Sequence, residues 1–166
     1  MAADDYSFWL RKNTHHLYAN IAEPYLYYRV HQGQTSSSRY QRQRSETLRS
    51  AQMAYSDLLG YMIPFNVIES FYYVNHVEVE SPKSVKEGIQ TIYRIQRAFE
   101  DKNPLNPAQK TETRKYSYEK IKSMIAKYQN MPGVRMKGLL LLLRLSPAWV
   151  LQDVLGKFRS KPEAET

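Results

Sequence analysis

The sequence predicts a mainly α protein, a helical bundle following a short helix–strand unit at its N-terminus. Two observations carry this expectation. After residue 39, apolar residues recur at three- and four-residue steps in one segment after another, the spacing of a helix with one buried face. Before residue 35 that spacing is missing, and Pro24 interrupts the stretch from Ala19 to His31, which favours an extended segment.

Taken in order, Asp5 to Lys12 reads as one or two helical turns. Ile21, Tyr25, Tyr27 and Val30 lie on the extended segment around Pro24. Gln32-Gly33-Gln34-Thr35-Ser36-Ser37-Ser38 is loop, and one of its serines is expected to cap the helix that follows. Leu48, Ala51, Tyr55, Leu58, Leu59 and Met62 then build one apolar face until Pro64 intervenes. Val85, Ile89, Ile92, Tyr93 and Phe99 build a second, broken only by Gln96, with Ser84 and Glu87 at capping-box spacing ahead of it. Asn103-Pro104-Leu105-Asn106-Pro107 is a break. Tyr118, Ile121, Ile125 and Tyr128 form a third face, ended by Met131-Pro132-Gly133. Ser146-Pro147, a cap and first-turn pair, opens a last segment with Val150, Leu151, Val154, Leu155 and Phe158 on one side. No internal repeat is visible. The expected division is 1–38 and 39–166, the second part ending in an amphipathic basic region at 134–159.

With 166 residues and 42% apolar content the chain can bury a real core. The absence of cysteine excludes disulfides, thiolate metal sites and cysteine nucleophiles, and fits a reducing compartment. The start lacks the basic and apolar regions of a signal peptide, and the run Leu139 to Leu143 is too short to span a bilayer. A soluble or peripheral protein is expected. The net charge of +8 is concentrated late: from Lys110 onward there are 12 Lys/Arg against 5 Asp/Glu. A second cluster comprises Arg39, Arg42, Arg44 and Arg49. Such a balance attracts polyanions. No zinc-finger or RNA-recognition signature accompanies it, and the basic residues are interleaved with apolar ones, so nucleic acid is not the expected partner.

Two blocks carry a chemical vocabulary. Asp4-Asp5-Tyr6-Ser7-Phe8-Trp9-Leu10-Arg11 pairs two carboxylates with aromatics and an arginine. Tyr27-Tyr28-Arg29-Val30-His31-Gln32-Gly33-Gln34-Thr35-Ser36 follows about twenty residues later. The first resembles the acidic motif of family 2 glycosyltransferases, usually a Glu-Asp pair, an aromatic, a Trp-Leu and an Arg. The second resembles the Tyr-Arg-x-His segment that follows it there. Order and separation also match, over roughly the first 38 residues.

The resemblance implies that the N-terminal unit is the C-terminal remnant of a GT-A type α/β catalytic domain. It further implies inverting transfer of a sugar from a nucleotide-diphosphate donor to a glycan or lipid-linked acceptor. Asp5 would be the catalytic base, with Asp4 orienting the site or the acceptor. Arg29 and His31 would bind the donor diphosphate, His31 also being the candidate metal ligand, with manganese or magnesium as the expected ion. Such enzymes place a nucleotide-binding half ahead of this point. The chain is therefore expected to be inactive alone, a separate donor-binding chain being one possible partner. The expected location is cytoplasmic, with the inner face of the membrane as a variant.

Other readings stand beside this one. Adjacent aspartates near an N-terminus also favour a helix dipole without doing chemistry. His15-His16 has no partner spacing. His76, Glu78 and Glu80 alternate and would share one face of a strand, a faint metal pattern that a solvated face explains as well. Tyr25, Tyr27, Tyr28, Tyr72 and Tyr73 suit sugar stacking and core packing alike. Arg135, Lys137, Arg144, Lys157 and Arg159 flank apolar runs containing Trp149 and Phe158. That pattern fits a helix lying on an anionic membrane surface, and equally a helix packed against its neighbours. A basic helical interaction or membrane-surface module without catalysis is the alternative to the transferase.

Overall fold

A computed structural model describes residues 40–72, 79 and 81–159. Six helices and no strand occur among them: α1 (Tyr40–Leu59), α2 (Phe65–Tyr72), α3 (Pro82–Lys102), α4 (Pro107–Lys127), α5 (Val134–Leu145) and α6 (Pro147–Arg159). The described protein is mainly α, as the periodicity predicts. The N-terminal helix–strand unit lies outside the described residues.

The chain divides into two compact units, Met1–Ile68 and Glu69–Thr166. In the first, α1 buries Leu48 and Ala51, as its spacing predicts. The helix stops at Gly60, not at Pro64. Gly60 adopts a φ of +76°, which an L side chain rarely tolerates, and its N–H and that of Tyr61 both close on the Ser56 carbonyl. The turn changes which residue points inward. Met62, expected on the apolar face, is 70% exposed, whereas Ile63 is buried. Ile63 is held by its own polar groups: its N–H donates to Ser56 Oγ at 2.9 Å and its carbonyl accepts from Gln52 Nε2 at 2.7 Å.

In the second unit α3, α4 and α5 pack pairwise, each against the other two, and α6 packs on α5. The start of α3 differs from the expected cap. Ser81 Oγ accepts from the Ser84 N–H at 3.3 Å and Pro82 occupies the first turn, so Ser84 lies inside the helix and is buried. The reason is that Ser81-Pro82 supplies both the side-chain acceptor and a residue with no N–H to satisfy. Val85, Ile89 and Ile92 face the core, while Phe99 is exposed. The next helix, α4, opens on a full capping box. Asn106 Oδ1 accepts from the Gln109 N–H, and Gln109 Oε1 accepts from the Asn106 N–H, both at 3.0 Å. It buries Tyr118, Ile121 and Met124, and α5 buries Val134, Leu141, Leu142 and Leu145.

Two glycines let helices approach closely. A β-carbon on Gly88 of α3 would collide with Ser70 Oγ, and one on Gly138 of α5 with the side chain of Ile125 on α4. Ser70 is fully buried and donates to the Ser84 carbonyl at 3.2 Å. Lys120 of α4 donates to the carbonyl of Tyr72, the last residue of α2, at 3.3 Å, and its burial lowers its pKa.

A two-pronged ion pair joins α3 to α4. Arg114 donates through Nε to Glu100 Oε1 at 2.8 Å and through Nη2 to Oε2 at 3.0 Å. The hydrogen bonds from Arg114 hold the Glu100 carboxyl below the ordinary glutamate range against the opposing effect of burial, and Gln96 one turn earlier adds to the lowering. Because the folded-state pKa is depressed, the pair stabilises fully above the unfolded-chain value of about 4.3, and that contribution is lost as pH falls through the folded value. Glu100→Gln should therefore lose less stability than the parent on acidification from about pH 6 to about pH 3. Thermal melts followed by circular dichroism check this; parallel pH profiles would contradict it.

Candidate functional site

The residues expected to carry chemistry, Asp4, Asp5, Arg29 and His31, lie outside the described residues, as do His15, His16, His76, Glu78 and Glu80. Among the described residues, no three His, Asp or Glu side chains come together as a metal site. Of the α1 arginines, Arg42 pairs with Glu46 at 3.0 Å one turn away, while Arg49 is exposed. The feature of this region that the sequence singles out and the structure describes is the basic amphipathic end, α5 and α6.

Gly133, at a φ of +73°, sets the start of α5, and α5 ends at Ser146, whose backbone is extended. Ser146 then caps α6, its Oγ accepting from the Trp149 N–H at 3.3 Å, with Pro147 in the first turn as expected. The two helices bend by 117° across this single residue.

Helical geometry sorts α5 into opposed faces. Val134, Gly138, Leu141, Leu142 and Leu145 point into the bundle. Met136, Leu139, Leu140 and Leu143, at i, i+3, i+4 and i+7, form an exposed stripe on the far side. At 100° per residue Arg135 falls on one flank of that stripe, and Lys137 and Arg144 on the other. No acidic residue occurs in α5.

The inward face of α6 is polar. Asp153 Oδ2 accepts from Tyr118 Oη at 2.9 Å and pairs with Lys122 Nζ at 2.8 Å. Trp149, one turn earlier, meets the Tyr118 ring edge-on with centroids 5.4 Å apart. Burial first, and then the hydrogen bond to the Asp153 carboxylate, push the Tyr118 phenol far above the ordinary tyrosine range, so it remains a donor. With Trp149 and Asp153 turned in, Leu151, Val154 and Leu155 turn out and are exposed. The sequence did not reveal this latch. Its signal is the i, i+4 spacing of Trp149 and Asp153 opposite Leu151, Val154 and Leu155.

The arrangement can bind an amphipathic surface: apolar side chains at the centre, cations at the edges, and the one carboxylate of the region engaged on the inside. No described helix is long and apolar enough to cross a membrane alone. No protein-family model, curated protein or solved structure matches the chain.

Proposed function

We propose that this chain carries the acceptor-side and C-terminal part of an inverting glycosyltransferase that uses a nucleotide-diphosphate sugar. One observation supports the reading: the acidic-aromatic block at Asp4 to Arg11 is followed, in order and at the family's separation, by Tyr28-Arg29-Val30-His31. In this mechanism the acceptor hydroxyl gives its proton to the Asp5 carboxylate as its oxygen bonds to the anomeric carbon. The anomeric C–O bond to the diphosphate breaks on the opposite face, and the nucleotide diphosphate departs with the electron pair. Asp4 orients the acceptor. Arg29 meets the growing phosphate charge with charge-assisted hydrogen bonds, and His31 contacts the diphosphate or its divalent ion. Manganese or magnesium, when bound, would supply further charge neutralisation of the leaving diphosphate.

Titration calorimetry with uridine and guanosine diphosphates, with and without manganese, tests the assignment. Although the nucleotide-binding half is expected to lie elsewhere, Arg29 and His31 should still grip the diphosphate of a nucleotide weakly, in binding that requires manganese and disappears in His31→Ala. Absence of metal-dependent binding in a chain with intact helical dichroism would overturn the assignment of Arg29 and His31 to the diphosphate.

A further inference from the structure

We infer that the outward stripes of α5 and α6 dock on the interface of a bilayer containing anionic lipid. The inference stands on its own observations and does not depend on the sugar-transfer reading. On two consecutive short helices, large aliphatic side chains face solvent, with Met136 at 65%, Leu140 at 53%, Leu151 at 59% and Leu155 at 52% exposure. Their spacing is that of a stripe on each helix, opposite the residues that hold the bundle together. A stripe of this kind, placed apart from the core, marks an interaction surface.

Charge selects the occupant. Arg135, Lys137 and Arg144 border the α5 stripe on both flanks, and the region's only described acid, Asp153, is turned inward onto Tyr118 and Lys122. A surface with leucines at its centre and cations at its rim matches the acyl–headgroup boundary of a bilayer, where apolar side chains sink a few ångströms and Lys and Arg meet phosphates. Protein interfaces concentrate aromatic anchors instead. Trp149 packs edge-on against Tyr118, and among the residues whose side chains are described the outward stripes carry only Met, Leu and Val. At about 18 and 20 Å, α5 and α6 are each too short to cross a hydrocarbon core of about 30 Å, so contact lies along the surface.

The test is cosedimentation of the chain with phosphatidylcholine vesicles, with and without phosphatidylglycerol. Two variants accompany it: Leu140→Gln/Leu155→Gln, which removes apolar contact at exposed positions, and Lys137→Gln/Arg144→Gln, which removes rim charge. Both should keep the parent's helical dichroism and melting temperature. The expected result is binding to phosphatidylglycerol vesicles only, weakened about tenfold or more in each variant. Equal binding to neutral vesicles, or binding untouched by Leu140→Gln/Leu155→Gln, would overturn the inference. So would absence of vesicle binding; self-association that the leucine variant abolishes would then assign the face to a second copy of the chain.

Discussion

Ile121→Ala is expected to destabilise the second unit by about 2–5 kcal/mol, and at the upper end to leave it largely unfolded at room temperature. Ile121 is fully buried on α4, the helix that packs against both α3 and α5. Removing its outer carbons forfeits their transfer from water and leaves a cavity that the helices cannot readily close, because the ion pair of Arg114 with Glu100 and the hydrogen bond of Tyr118 to Asp153 hold the two preceding turns of α4 in place. Leu140→Ala, a similar loss of side chain on the exposed stripe, is the control and should cost little. Urea unfolding followed by circular dichroism would separate them; equal midpoints for the two variants would contradict the assignment of Ile121 to the core.

Gly88→Ala is expected to destabilise by about 1–3 kcal/mol, although alanine is the better helix former by about 1 kcal/mol. The added methyl would overlap Ser70 Oγ and press to 3.3 Å on Met124 Cε. The serine cannot simply turn away, since its hydroxyl is fully buried and donates to the Ser84 carbonyl. Ser70→Ala empties the place the methyl needs. In that background Gly88→Ala should become neutral or stabilising, giving a coupling of about 1–3 kcal/mol in a double-mutant cycle. Additive effects would mean that the α2–α3 contact does not limit the space at Gly88.

What the sequence made legible is burial that recurs locally. Val85, Ile89 and Ile92, or Tyr118 and Ile121, repeat at helical spacing because one side of a helix meets a core, and the repeat needs no knowledge of the partner. Boundaries were less legible. Ser84 and Glu87 have the spacing of a capping box, yet Ser81 with Pro82 starts α3 one turn earlier and makes Ser84 an interior residue. At Gly60 a left-handed turn shifts the inward position from Met62 to Ile63, a change of phase that periodicity cannot carry across a glycine. The apolar side of α6 was visible, but not which way it faces. That choice is made by Tyr118 and Lys122, some thirty residues upstream, which draw in a carboxylate and an indole and leave the leucines outside. The acidic-aromatic block and the Tyr-Arg-x-His segment are legible only as motifs, since Asp4, Asp5, Arg29 and His31 lie outside the described residues.

The corner at Ser146 decides the reach of the apolar C-terminal region. Residues 134–155 form a stretch that, if straight, would measure about 33 Å and keep both aliphatic stripes nearly in register, a length close to one bilayer leaflet pair. Pro147 prevents this. It has no N–H to offer the Leu143 carbonyl, and its ring crowds that turn, so α5 closes with the Ser146 N–H on the Leu142 carbonyl at 2.9 Å and the chain departs at 117°. One imino acid thus separates a single apolar rod of that length from an elbow of two short arms set at 117°.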